Sequence, residues 1–267
     1  MSQFSILGSS GVIGGHLVSS LLKQGHDVYA PSRGDDEVFK RPLGHVIYCI
    51  GLTADFRSRP YETVESHVSH LSLVLQKCKF DSFLYLSTTR IYGVASEGIE
   101  SCNLLVDPSN SSDFYNISKL MGEALCHISA KRNVRVVRLS NVIGGDSDNS
   151  PNFIPSLLRD ARAGRIVLQS SLNSSKDYVH IDDVVSLLPH ISLSGKQTVY
   201  NVASGKKISN AEWVEKMVAM TGCTVEVLPN APQLDFADIS IERVAKEFAF
   251  VPKDVLSSLS SASEIDK

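Results

Sequence analysis

Phe4-Ser-Ile-Leu7 runs directly into Gly8-Ser-Ser-Gly11-Val-Ile-Gly14-Gly-His-Leu17. This is a short apolar strand, a glycine-rich turn, and a helix carrying Val12, Ile13, Leu17, Leu21 and Leu22. Few folds open this way. Glycines let the backbone turn tightly and approach a pyrophosphate, while the helix N-terminus adds unpaired N–H groups and a positive dipole. The spacing is G-x-x-G-x-x-G, not the G-x-G-x-x-G of the commonest dinucleotide fingerprint. Gly8, Ser10, Gly11, Val12, Ile13 and Gly14 are therefore the candidate phosphate-binding residues.

The rest of the chain alternates strand and helix. Asp27-Val-Tyr-Ala30 reads as the second strand, and Val46-Ile-Tyr-Cys-Ile50 as a later central one. A helix follows from about Tyr61, with Val64, Val68, Leu71, Val74, Leu75 and Cys78 at helical spacing. Phe83 to Leu86 is the next strand. The helix around Tyr115 carries Phe114, Ile117, Met121, Leu125 and Ile128, which periodicity assigns to its buried face. Val134 to Leu139 is another strand. Such alternation predicts an α/β fold, a Rossmann-type doubly wound parallel sheet with helices on both faces. The pattern breaks at Gly144-Gly-Asp-Ser-Asp-Asn-Ser-Pro151, a loop by composition. It returns to the sheet around Tyr178 to Asn201, then leaves for a helix near Asn210 to Met220. Residues 1–144 plus about 177–203 are expected to form the dinucleotide-binding domain. Residues from about 145–176 plus 204–267 would form a small C-terminal α/β substrate-binding lobe. The Ser-rich tail from Ser257 reads as frayed.

Hydrophobic residues make up 43% and charged residues 21%, with a net charge of −3. No basic field points to nucleic acid or an anionic membrane, and no apolar run reaches a membrane span. The first residues already form strand and turn, leaving no room for a cleavable leader. Five cysteines, an odd count with no C-x-x-C, suit reduced thiols in a cytoplasmic protein. His67 and His70 share a helical face, but no third ligand accompanies them, so no metal site is expected.

Chemistry concentrates in two stretches. Tyr115 and Lys119 in Asp-Phe-Tyr-Asn-Ile-Ser-Lys are i and i+4 on a helix and so share a face. A phenol with an ordinary pKa near about 10 is a poor proton shuttle at neutral pH. A cation beside it would lower that pKa and make Tyr115 a general acid/base. The second stretch, Phe83-Leu-Tyr-Leu-Ser-Thr-Thr-Arg-Ile-Tyr-Gly93, is an apolar strand ending in hydroxyl residues. Parallel sheets bind ligands at that carboxyl end.

Taken together, Gly8/Gly11/Gly14, Thr88 ahead of Ile-Tyr-Gly, and Tyr115/Lys119 resemble the extended short-chain dehydrogenase/reductases, the NAD-dependent epimerase/dehydratase family. The likeness continues through Arg138-Leu-Ser-Asn-Val-Ile-Gly144, Asn152-Phe-Ile-Pro, Lys176-Asp-Tyr-Val-His-Ile-Asp-Asp and Tyr200-Asn-Val-Ala-Ser-Gly205, to about Pro252. The resemblance implies that Lys119 contacts the nicotinamide ribose, that Thr88 holds the reacting oxygen, and that Tyr115 exchanges a proton with it. It adds Ile50 and Gly51 to the cofactor contacts. It implies Thr88, Thr89, Arg90, Asn141, Phe153 and Lys176 as substrate contacts on a nucleotide-activated sugar. Family members often dimerise through the two long helices beginning here near Tyr61 and Tyr115, so a homodimer is expected.

Cofactor choice turns on the end of the second strand. An acid there binds the ribose hydroxyl of NAD, whereas an Arg accommodates the 2′-phosphate of NADP. Ala30-Pro-Ser32-Arg33-Gly has no acid until Asp35. Ser32 and Arg33 favour NADP, with NAD the alternative.

Departures from the family narrow the reaction. Members that dehydrate hexoses follow the Thr with Asp-Glu, where this chain has Thr89-Arg90. Members that epimerise at C3 and C5 use a Cys two after the hydroxyl residue, with a His; here Arg90 stands there, and the matching loop reads Gly-Gly-Asp146. What remains is hydride transfer at one carbon. NADP preference favours a 4-ketoreductase. The alternative is a 4-epimerase with bound NAD, and after it a non-sugar carbonyl reductase or a cofactor-sensing binding module. Lys176 replaces the expected diphosphate Arg, a second such Arg is missing before Asp238, and His67 replaces the Asn usual in the middle helix. The stretch Gly34 to Gly44 is also short for a further strand and helix.

Overall fold

The computed structural model describes residues 1–93, 97–145 and 150–262. Asp146, singled out above, and the last residues of the tail lie outside the described residues. The elements run β1 Gln3–Leu7, α1 Val12–Lys23, β2 Asp27–Tyr29, β3 His45–Tyr48, α2 Pro60–Val64, a π-turn Glu65–Ser69, and α3 His70–Lys77. Then come β4 Ser82–Thr88, β5 Glu97–Gly98, α4 Phe114–Ile128, β6 Val134–Leu139, β7 Asn141–Ile143, α5 Phe153–Arg162, β8 Arg165–Leu168 and β9 Ser175–His180. The chain finishes with α6 Ile181–Ser194, β10 Val199–Val202, β11 Lys207–Ser209, α7 Asn210–Thr221, β12 Thr224–Val227, β13 Asp238–Ile239, α8 Glu242–Phe248 and α9 Val255–Ala262.

The main sheet has strand order β10-β6-β4-β3-β1-β2, and all its pairings are parallel. One face packs α1 and α6 through Leu17, Leu21, Val184, Leu188 and Ile191 on Phe4, Ile6, Ile47 and Leu84. The other face packs α3 and α4 on Tyr48, Phe83, Tyr85 and Val136. Both faces being covered explains the nearly continuous apolar strands. Successive strands leave β1 in opposite directions, so a crevice opens at the carboxyl ends of β1 and β3, where such sheets bind ligands.

One expectation is met and three change. The stretch Gly34 to Gly44 holds a single 3₁₀ turn over Asp36–Phe39, so β3 follows β2 with no extra strand or helix between them. β9 pairs with β7 and β11 in a separate three-stranded sheet, and only α6 and β10 return to the main one. The apolar Tyr-Val-His run reads as core in either sheet. The tail is not frayed from Ser257, because α9 continues to Ala262, with Val255 buried against the smaller core.

The third change matters most. Helix α4 buries Tyr115, Asn116, Ser118, Lys119, Gly122, Glu123 and Cys126, whereas Met121 is 51% and Ile128 78% exposed. The polar stripe faces inward because its partners are inside. Gly122 permits the approach: a Cβ there would stand 2.4 Å from the Tyr85 hydroxyl.

A second core, including Ile154, Leu157, Ile166, Tyr178, Trp213 and Met217, lies under α5, α7 and the β8–β12 pair. Helix α7 opens with a capping box, Ser209 and Glu212 bonding each other's backbone N–H groups. No helix among the described residues is long and apolar enough to cross a membrane.

Candidate active site

A cleft of about 540 Å³ opens at the carboxyl ends of the main strands. Its lining includes Gly11, Val12, Ile13, Gly14, Gly51, Thr88, Arg90, Tyr115, Lys119, Asn141 and Phe153. These candidates come from six separate segments, and the fold brings them to one place.

The glycine turn is built for close approach. Gly8 has φ +93°, and a Cβ there would stand 2.8 Å from the Ile50 nitrogen. A Cβ on Gly14 would stand 2.2 Å from the Gly8 carbonyl oxygen. No other residue fits either position. Gly11 caps α1 without a side-chain hydrogen bond, so the first N–H groups of the helix remain open to the cleft. These features fit a dinucleotide pyrophosphate. Gly8 and Ile50 act from behind the turn: Ile50 packs into the apolar cluster under α3. Ser10 is exposed on the turn, and Ser32 and Arg33 are exposed beyond β2. None of these five lines the cleft.

Tyr115 is buried, its ring 5.2 Å from Phe56 and edge-on to His67 at 5.5 Å. Burial pushes its phenol up to about 12, against the opposing pull of the Arg90 charge and the Thr88 side chain. The expected cation is thus displaced: Arg90, with its guanidinium 5.5 Å over the ring, is the charge that stabilises the phenolate here. Lys119 instead turns its Nζ to donate to the Leu86 carbonyl at 2.9 Å. Burial brings its ammonium down to about 8, opposed by the charges of Glu123 and then Cys49.

Beneath the cleft lies a buried network. Ser87 donates to Glu123 at 2.5 Å, and Arg138 grips both Glu123 oxygens, the shortest contact being 2.7 Å. Arg138 also donates to the Tyr92 hydroxyl, which donates to Asn201 Oδ1 at 2.6 Å. Tyr92 of Ile-Tyr-Gly is therefore a strut below the site. Glu123 and Ser87 were not singled out from sequence. Their signal was a polar residue one turn after Lys119 and another just before Thr88.

Thr89 begins the 3₁₀ turn after β4 and does not line the cleft. Asn141 lines it, but its amide donates to the Asp177 carbonyl at 2.8 Å. Lys176 lines an adjoining cleft of about 510 Å³, which shares Phe153 with the first. Thr53, Ala54 and Tyr178 also line the main cleft and were missed, the first two because ordinary loop residues carry no motif and Tyr178 because it reads as a core residue of its strand.

A family model for the NAD dependent epimerase/dehydratase family matches residues 4–203. The chain is 28% identical over 183 residues to a dTDP-glucose 4,6-dehydratase from Streptomyces griseus, covering 64% of this chain and 54% of that one. It thus spans about half the length of that relative. It is 24% identical over 221 residues to a dTDP-4-dehydro-6-deoxy-D-allose reductase from Streptomyces bikiniensis, covering 77% of this chain and 67% of the relative. Its fold is similar to that of MoeE5 in complex with UDP-glucose and NAD, with TM-score 0.79, 19% identity, and coverage of 97% and 96% of the two chains. The protein belongs to the NAD dependent epimerase/dehydratase family of enzymes.

Proposed function

We propose that this chain is an NAD(P)-dependent oxidoreductase of a nucleotide-activated sugar, a 4-ketoreductase that prefers NADP. One observation carries the reading. Thr88, Tyr115 and Lys119 share a cleft whose described lining residues include no carboxylate and no imidazole. Cys49 lines it too, but burial pushes its thiol up to about 12, so it is no base at neutral pH. Elimination or a second epimerisation needs a further acid/base pair; one-carbon redox does not.

A nicotinamide dinucleotide, when bound, supplies the hydride. The turn from Gly8 to Gly14 would hold its pyrophosphate, Gly51 and Lys119 its nicotinamide side, and Ser32 and Arg33 its adenosine side. Thr88 would hold the substrate oxygen by a hydrogen bond. Tyr115 would give that oxygen its proton, with the Arg90 charge favouring the phenolate left behind. Such acid–base help is worth about two to four orders of magnitude in rate.

NADP preference gains support at the end of β2. Asp35 could serve a ribose hydroxyl, but it accepts from the Tyr29 hydroxyl at 3.0 Å and the Glu37 N–H at 2.9 Å. The Arg41 guanidinium adds a second cation beside Arg33's segment, 4.3 Å over the Tyr29 ring. The Thr88, Tyr115 and Lys119 site also serves a 4-epimerase with bound NAD, which returns the hydride to the opposite face. The residues after Phe153 that share the second core would form the substrate lobe. Tyr61 and Val64 on α2, with Met121 and Ile128 on α4, leave an apolar surface exposed, which supports a homodimer. The free cysteines support a reducing compartment, the cytoplasm.

Mixing the protein with NADPH and a 4-keto sugar nucleotide tests the reading. Stoichiometric NADPH consumption is expected. Purified protein that carries NAD and interconverts two 4-epimers without net cofactor change would move the assignment to the epimerase.

A further inference from the structure

Arg90 makes no ion pair among the described residues and lies against the ring of Tyr115, the proposed proton donor. It follows Thr88 by two residues and lines the same cleft as Thr88 and Tyr115. Its guanidinium stacks 5.5 Å over the Tyr115 ring and 5.3 Å over Phe56. Among the described residues its one side-chain hydrogen bond runs to the Ser112 carbonyl at 3.3 Å. The acid that acts on it, Asp113, is already taken by the Asp107 N–H and the Asn116 amide.

Other positive charges crowd the same place. Arg57 donates to Ser112 Oγ at 3.1 Å and lies over the Phe56 ring at 4.5 Å. Lys176, on the adjoining cleft, holds its Nζ 5.8 Å over Phe153 and 5.3 Å over Phe236, and this ammonium makes no hydrogen bond or ion pair among the described residues. Desolvation, then Arg57, lowers the Arg90 pKa; desolvation, then Arg90, lowers that of Lys176. Two cations, Arg90 and Lys176, held against desolvation, with the exposed Arg57 adding its charge to Arg90, favour an anionic ligand.

A diphosphate alone does not use them all. Lys176 lies where the main and adjoining clefts meet, over the Phe153 they share, and a diphosphate passing between them would find its charge there. That leaves Arg90, against the Tyr115 ring, for something on the sugar itself. A neutral hexose would bury this guanidinium with the Ser112 carbonyl as its one hydrogen-bond partner and no anion among the described residues. A carboxylate on the carbon next to the reacting one fits it, because the planar fork binds carboxylates through two parallel hydrogen bonds. Arginine keeps its proton and so would not replace the missing acid/base pair.

We propose that Arg90 receives a carboxylate carried by the reacting sugar, so that the preferred substrate is a nucleoside-diphosphate uronic acid and not a neutral hexose. This rests on the sugar-nucleotide reading above and names its substrate class.

The test is calorimetric titration of the protein, saturated with whichever of NADH and NADPH binds more tightly. The probes are UDP, UDP-glucose and UDP-glucuronic acid, with the three dTDP counterparts. We expect the uronic form to bind at least about tenfold more tightly than the glucose form. Arg90→Met should bring that ratio to within about threefold of unity, and Arg90→Lys should keep part of it because charge persists without the fork. A wild-type ratio near one overturns the proposal, even with tight binding of both sugars. So does an Arg90→Met variant that weakens free UDP as much as the uronic form, since Arg90 would then hold the diphosphate. Binding of dinucleotide but of none of the six probes overturns the sugar-nucleotide reading, and this inference with it.

Discussion

His67 Nε2 accepts the backbone N–H of Leu52 at 3.2 Å, which fixes the tautomer of a fully buried imidazole. Nδ1 must then carry the proton and donate it to Ser118 Oγ at 2.9 Å, and Ser118 donates to the Tyr115 carbonyl at 2.8 Å. One ring thus ties the loop after β3 to the first turn of α4, from a π-turn of the kind that often marks functional sites. His67→Leu leaves the Leu52 N–H and its neighbours unpaired and should cost about 1–3 kcal/mol in urea unfolding. His67→Asn, which keeps one acceptor and one donor, should cost less. Equal losses would mean that only the ring's volume matters.

The same ring gives the stability curve an acid limb. Burial, then the Lys119 charge, lowers the His67 pKa to about 2, against an ordinary value of 6.5. Between those values the unfolded chain binds the proton and the folded chain does not. The His67 contribution is therefore complete above pH 6.5 and is lost progressively as pH falls toward 2. Unfolding free energies measured from pH 7 down to pH 4 should fall, and His67→Asn should flatten that slope. An unchanged slope in the variant would assign the acid limb to the carboxylates.

Glu123 serves stability and the site together. Its pair with Arg138 is buried at both ends, with side-chain exposures of 3% and 5%. Removing one partner leaves a charge uncompensated, so Glu123→Ala should cost about 3–5 kcal/mol. Replacing both residues with apolar ones of similar volume should cost less than the sum of the single changes. Glu123 also opposes the fall of the Lys119 pKa. Glu123→Gln should therefore shift the alkaline limb of the kcat/KM profile to lower pH, a readout that loss of packing alone would not move.

Much of the site was legible because its parts are local. The glycine turn, Thr88 at a strand end, and the Tyr115/Lys119 spacing each declare their chemistry within a few residues. The orientation of α4 was not legible. Met121 and Ile128 look like core by type, and Glu123 looks like surface. Which face turns inward depends on Arg138 and Ser87, which lie on other elements and become neighbours only when β4 and β6 pair. The cation beside Tyr115 was misread for a related reason. Helical spacing places Lys119 on the right face but does not say where a flexible side chain ends, and the Leu86 carbonyl claims it.

Catalysis by Tyr115 should separate cleanly from cofactor binding. The hydroxyl bonds the Thr88 side chain and, among the described residues, makes no hydrogen bond to the Gly8–Gly14 turn, and Tyr115→Phe keeps the ring that packs on Phe56 and His67. The variant should bind NADPH within about threefold of wild type while turnover falls by about two to four orders of magnitude. Retained turnover would remove the phenol from the chemistry.

The inverted face of α4 leads to a last expectation. Met121 and Ile128 stay exposed among the described residues, and Tyr61 on α2 is 87% exposed. α2 packs along α4, so these residues share one side of the molecule. Burial of such a surface between two copies would be driven by the apolar area removed from water. Met121→Glu combined with Ile128→Lys should therefore convert a dimer to a monomer in sedimentation equilibrium, with the Tyr115 site left intact as judged by NADPH binding. A wild-type chain that sediments as a monomer at micromolar concentration would show that this face meets some other partner or none.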